Sequence, residues 1–265
     1  MIAPPEGTVE RWAWDYVLAD GLAAKLSPPP VPERWEESPP ARRLVAPGRP
    51  PELRVVARAK KTKSLATPEG RASALHTFFH HELQAAELMA WALLAFPETP
   101  RELREGLVRI ALDEIRHMGM YAEAMARLGR RPGDFEVRDW FWERVPTTSS
   151  IVQFVAIMGL GVESANLEHA VTWAERFRAA GDEESARMQE RVGLEEIAHV
   201  RFGVRWFEHY EGALEFGAWC RALPAPLTPL LMRGKTLQRE ARARAGQPAA
   251  FLDELEAWQP APPGS

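Results

Sequence analysis

The stretch LDEIRHM at residues 112–118 returns as LEEIAHV at residues 194–200. Both read Leu, acid, Glu, Ile, any residue, His, apolar, and both lie in segments with helical periodicity. On an α-helix a Glu and a His three positions apart share a face, with Cβ atoms roughly 5–6 Å apart. Glu114 with His117, and Glu196 with His199, can each address one inward point. The bare spacing is weak, because 30 Glu and 7 His in random order give roughly 0.8 Glu-x-x-His matches. The shared seven-residue context carries the signal.

A second regularity lies upstream. Glu82 precedes Glu114 by 32 residues and Glu163 precedes Glu196 by 33. From Glu82 a helix climbs fourteen residues to Phe96, about 21 Å at ~1.5 Å per residue. The chain turns through ProGluThrPro and descends thirteen residues from Arg101 to Glu114, about 20 Å. The two carboxylates so return to one level, and residues 149–211 repeat the route around Gly181.

Helix punctuation frames this path. Residues 69–96 follow Pro68 and end at Pro97 and Pro100, with apolar or small side chains at 75, 79, 86, 89 and 93 forming one face. Residues 101–129 stop at Gly129 with Pro132 beyond, residues 149–180 stop at Gly181, and residues 182–211 follow. Residues 130–148 read as a loop, and 213–245 as one or two shorter helices interrupted by Pro224, Pro226 and Pro229. No strand pattern emerges. The expected fold is all-α, an antiparallel four-helix bundle in which the longer connection at 130–148 carries the chain back across. Its expected divisions are an N-terminal arm at 1–68, the bundle at 69–245 and a tail at 246–265 ending in a disordered QPAPPGS.

Glu82, Glu114, His117, Glu163, Glu196 and His199 then supply four carboxylates and two imidazoles at one depth. Four negative charges offset two divalent cations, carboxylates can bridge them, and mixed oxygen and nitrogen donors suit iron or manganese. Two transition-metal ions are expected, iron first and manganese second. Glu168 is an alternative to Glu163 with a spacing of 28 to Glu196, and Glu87 to Glu82 with a spacing of 27 to Glu114. The spacings of 32 and 33, which return the carboxylates to one level, favour Glu82 and Glu163. Asp113 and Glu195 are either acceptors for imidazole N–H groups or solvated acids. His76, His80 and His81 read as ordinary polar or half-buried residues, and His169 as no ligand. Tyr121 lines the cavity or belongs to the core, Trp206 and Phe207 read as packing, Arg116 as outward-facing and Cys220 as an inert core thiol. Gly159 and Gly161, just before Glu163, open a pocket or allow close helix packing.

These residues resemble the ferritin-like superfamily over roughly 69–211. HHELQAAELMAWALL is similar to the first ligand helix of bacterioferritins, LDEIRHMGMYAEAMARLG to their second and LEEIAHVRFGVRWF to their fourth. Closer still, GRASALHTFFHHELQAAEL, EEIAHVRFGVRWF and the Pro-rich lead-in resemble the DUF455 family of ferritin-like proteins of unknown function. The resemblance implies a four-helix bundle with a non-haem dimetal centre and implies no particular reaction.

Composition narrows the classes. Twelve of the 23 prolines fall in residues 1–68, which excludes long helices there apart from a short one at about 8–25 capped by Thr8. Trp12, Trp14 and Trp35 mark this arm as packed on something. A net charge of −4 gives no basic surplus for nucleic acid or an anionic membrane. The longest apolar run, 151–162, is far short of the roughly 20 residues of a membrane helix. No signal peptide is read in MIAPPEGTVERW, and the single cysteine fits a reducing cytoplasm. The functional expectation is a cytoplasmic oxidoreductase using O2 or peroxide on a small organic substrate, with a homodimer left open. Ferroxidase activity, metal storage or peroxide detoxification without an organic substrate is the alternative. The arm and the C-terminal extension speak against a ferritin shell.

Overall fold

The computed structural model describes residues 1–58 and 64–260. Among them ten α-helices form and no strand does, the nearest approach being an isolated bridge between Val55 and Val137. The chain divides into two compact units, Met1–Thr147 and Thr148–Ser265.

The first unit is built on one helical hairpin. Helix α3, Pro68–Ala95, starts where proline at the first helical position and the Thr67 side chain, accepting from Gly70 N, both favour initiation. Helix α4, Arg101–Arg127, follows a five-residue link and ends where Gly129, at φ +69°, lets the chain leave in the left-handed conformation. The two helices pack along each other. The expected single apolar face of α3 is too narrow a description: every residue from Glu82 to Ala95 is buried.

The N-terminal arm covers a further side of α3. Its helices α1, Val9–Leu18, and α2, Leu22–Leu26, replace the single helix expected at 8–25, because Ala19–Asp20–Gly21 interrupts it. Thr8 does cap α1, accepting from Arg11 N at 3.2 Å. Buried Trp12 stacks on Tyr16 and donates its indole N–H to Pro29 O at 2.9 Å, which ties the proline run back onto α1. Trp35 lies under the guanidinium of Arg101 at 4.0 Å and that of Arg104 at 4.7 Å, a cation–π clamp on the start of α4. Trp91 of α3 donates to Leu44 O at 2.9 Å.

Charge pins the arm more firmly. Lys25 of α2 is fully buried. Its ammonium donates to Tyr16 O at 2.7 Å and Val17 O at 3.0 Å, and pairs with Glu87 at 2.7 Å, so all three of its donors are used. Arg49 reaches the same carboxylate at 2.5 Å and pairs with Asp139 at 3.0 Å. Trp142 completes the set by donating to Glu87 at 2.8 Å. The arm and the 130–148 connection thus meet on one glutamate of α3.

The second unit repeats the hairpin with a modification. Helix α5, Ile151–Ile157, runs into a π-helical turn, Met158–Val162, and on into α6, Glu163–Ala179. Helix α7, Glu183–Glu211, is capped by Asp182 accepting from Ser185 N and ends at Gly212, φ +85°. The continuous 29-residue span Ile151–Ala179 is long and apolar enough to cross a membrane, unlike the shorter apolar run on which the sequence reading relied. Its most apolar window is 83% buried inside the protein, as fits a core helix of a soluble protein.

Short helices α8, Phe216–Ala222, and α9, Arg239–Arg244, follow. Residues 246–265, read as a tail, contain helix α10, Ala249–Ala257, whose Phe251, Leu252 and Leu255 are buried, Phe251 against Phe216 and Trp219. The i, i+1, i+4 apolar spacing of AAFLDELEA is the helical signal that the neighbouring prolines obscured. The last five residues, 261–265, lie outside the described residues, and with them most of the QPAPPGS segment. Phe216 and Trp219, not Cys220, are the core residues of α8, the cysteine being half-buried.

Replacing Glu87 by Ala removes the acceptor shared by Lys25, Arg49 and Trp142 and strands buried cations. We expect a loss of about 3–5 kcal/mol in denaturant unfolding and faster proteolytic cleavage of the arm. A variant with wild-type stability and an equally protected arm contradicts this role for Glu87.

Candidate metal centre

Each hairpin presents a triad of buried donors. In the first unit α3 provides Glu82 and α4 provides Glu114 and His117, and one ligand atom from each lies within 4.8 Å of the others. In the second unit α6 provides Glu163 and α7 provides Glu196 and His199, again within 4.8 Å of one another. All six side chains are at most 4% exposed.

The helices explain why these atoms converge. Both descents, Arg101 to Glu114 and Glu183 to Glu196, span thirteen residues, about 20 Å. The ascents differ, thirteen residues from Glu82 to Ala95 and sixteen from Glu163 to Ala179. The second link is two residues shorter than the first, which is why the overall spacings stay at 32 and 33.

Within each Glu-x-x-His pair the imidazole Nδ1 faces the carboxylate. The separation is 3.2 Å for His117 and Glu114 Oε2, and 3.0 Å for His199 and Glu196 Oε2. Two donors bound to one ion with bonds of about 2.1 Å meeting near a right angle stand about 3.0 Å apart. The pairs are therefore already at coordination distance. Two carboxylate charges within 4.8 Å repel by about 3 kcal/mol or more at an effective dielectric near 20. Such a cluster favours a cation or a proton between its members. Oxygen and nitrogen donors of this kind suit a transition metal. The triads can hold metal.

The alternative glutamates are engaged elsewhere. Glu87 is bound by Lys25, Arg49 and Trp142 as described. Glu168, 1% exposed, accepts Arg242 Nε at 2.8 Å and Arg242 Nη2 at 2.6 Å, together with Gln238 N and Gly234 N. Half-buried Asp113 pairs with Arg116 at 3.0 Å, and half-buried Glu195 with Arg191 at 3.1 Å, each along its own helix. His169 is exposed. Tyr121 is fully buried and stacks on Phe78. Trp206 and Phe207 are buried, Trp206 against Phe202, His209 and Tyr210.

The glycines before Glu163 serve packing rather than a pocket. A Cβ on Gly159 would stand 2.7 Å from Gly203 Cα of α7, and one on Gly161 2.5 Å from the sulfur of Met232. Two helices cross here at backbone contact. The π turn that holds these glycines was not visible in the sequence. The run GLG before Glu163 was its only signal.

An all-helical chain with two buried carboxylate–histidine triads is a candidate metalloprotein. A family model described as "Protein of unknown function (DUF455)" matches residues 11–253, and the chain belongs to the DUF455 family. No curated protein and no solved structure matched it.

The three histidines of α3 are placed apart from one another in role. His80 pairs with Asp139 at 2.9 Å, and half-buried His81 lies against Phe78 and Phe141. His76, 1% exposed, accepts the Gly133 N–H at 2.8 Å. Burial, with a smaller push from neighbouring His80, lowers its pKa to about 4. The unfolded chain, titrating near 6.5, binds the extra proton first as pH falls, so the contribution of His76 is whole above pH 6.5 and lost toward pH 4. The drop from 6.5 to about 4 corresponds to about 3 kcal/mol. In urea unfolding of metal-free protein, the wild type should lose about 3 kcal/mol more between pH 7 and pH 4 than His76→Gln does. Parallel pH profiles for the two proteins contradict the neutral, buried imidazole.

Proposed function

We propose that the two triads act together as one carboxylate-bridged centre for two transition-metal ions, in a ferritin-like four-helix arrangement. The observation that carries this reading is the duplication itself: two hairpins each bury two carboxylates and one imidazole within 4.8 Å. Three protein donors are few for iron or manganese, and carboxylates shared between two ions raise the count for both. In this reading Glu114 with His117 serves chiefly one ion and Glu196 with His199 the other. Glu82 and Glu163 complete the sets.

The activity we assign is oxidoreductase chemistry with O2 or peroxide on a small organic substrate, in a reducing cytoplasm. Bound iron or manganese would supply one-electron redox changes and Lewis acidity. The chain's residues hold the donors on helices and keep them nearly free of solvent, and the imidazoles would bind through Nδ1 as the tautomer that carries its proton on Nε2. A second reading, ferroxidase or peroxide-removing activity without an organic substrate, gains from one observation. Gly159 and Gly161 are filled against by Gly203 and Met232, so they leave no substrate volume beside Glu163.

Protein loaded anaerobically with ferrous or manganous ion should hold about two ions per chain by elemental analysis. His199→Ala should weaken one position about tenfold to a hundredfold and spare the other. Retention of both ions at wild-type affinity removes His199 from the ligands, and no binding at all removes the centre. Excess ferrous ion in air separates the two activities: many tens of ions stored per chain in soluble particles favours ferroxidase over substrate oxidation.

A further inference from the structure

We infer that Arg242, acting with Gln247, is a positioning residue for Glu163, holding through Ser164 the π turn from which Glu163 emerges. This rests on the reading of Glu163 as a metal ligand. The argument begins at the backbone. Glu163 N donates to Met158 O, five residues back, instead of to Gly159 O. The Gly159 carbonyl, passed over by that bond, accepts the Ser164 hydroxyl at 3.3 Å. An extra residue in one helical turn rotates every later side chain by about 100° about the axis. Gly159 is locked against Gly203 by backbone contact, so the π turn decides the direction in which Glu163 points relative to α7.

Three ties hold that turn, and all converge on Arg242. Its Nη2 donates to Ser164 O at 3.2 Å. Its Nη1 donates to Gln247 Oε1 at 3.2 Å, and Gln247 Nε2 in turn donates to Ser164 Oγ at 2.8 Å. Nη2 also reaches Met232 O at 3.3 Å, and the Met232 sulfur is the group packed over Gly161 inside the turn. The guanidinium is itself fixed by the two bonds to Glu168, one turn beyond Glu163. Arg242, Ser164, Glu168 and Gln247 are all at most 3% exposed. Surface anchoring of the C-terminal segment needs no buried guanidinium. Its aim at a serine beside the ligand glutamate, and at the methionine over the π turn, is what a positioning role requires.

The test is cobalt(II) binding, followed by calorimetry and by the ligand-field absorption of the bound ions. The proteins are full-length wild type, Ser164→Ala, Gln247→Leu, Arg242→Lys and Glu163→Gln. Ser164→Ala and Gln247→Leu remove only the ties and should keep the thermal midpoint within about 5 °C. We expect each to weaken one of the two cobalt positions about tenfold or more, to alter its absorption, and to leave the other unchanged. Ser164→Thr, which keeps the hydroxyl, should restore the affinity. Arg242→Lys should follow the first two. If it does not fold, those two decide. Wild-type affinity and absorption in both Ser164→Ala and Gln247→Leu, with Glu163→Gln impaired, overturn the positioning role and leave the ligand reading standing. Wild-type loading in Glu163→Gln overturns both.

Discussion

A carboxylate buried in a helical core must meet positive charge or share a proton, and this requirement organises the protein. Among the described residues seven glutamates are buried: Glu10, Glu82, Glu87, Glu114, Glu163, Glu168 and Glu196. Three are answered by cations of the chain: Glu10 by Arg104, Glu87 by Lys25 and Arg49, Glu168 by Arg242. The other four sit with imidazoles in the two triads, where a metal ion is the fitting counter-charge. Breaking a buried pair by removing one partner costs about 3–5 kcal/mol, so the first group bears on folding.

The same logic separates neighbours on one helix. Glu82 and Glu87 lie five residues apart on α3, and Glu163 and Glu168 five apart on α6. In each case the first glutamate belongs to a triad and the second to an ion pair with an extension from outside the hairpin. The extensions are therefore structural partners of the helices that carry the triads. The N-terminal arm brings Lys25 and Arg49, and the C-terminal segment brings Arg242.

Helix positions were legible in the sequence because proline, glycine and capping residues mark them locally. Pro68, Gly129, Gly181 and Gly212 each stand at an observed boundary. The Glu-x-x-His pairs were legible because a helix fixes what lies three residues away. The arm's tryptophans announced packing, and Trp12 and Trp35 are packed. What stayed hidden depends on distance along the chain. Lys25 in LAAKL reads as a solvent-facing residue until Glu87, 62 residues later, is placed against it. Arg242 in REARAR reads as one surface arginine among three, and nothing local singles it out. The π turn hides for another reason: its stabilisation comes from Gly203, Met232 and Ser164, of which only Ser164 is near in sequence. The repeated second glutamate, five residues after Glu82 and after Glu163, was the available clue to both ion pairs.

The separations of these pairs carry a consequence for synthesis on the ribosome. Everything that neutralises Glu87 from the arm has already been made when α3 emerges, since Lys25 and Arg49 precede it. Glu168 must wait 74 residues for Arg242. The first hairpin can settle as it leaves the exit tunnel, whereas the second stays electrostatically incomplete until Arg242 has emerged as well. Vectorial translation therefore staggers the completion of two otherwise matched hairpins, and the second triad matures last.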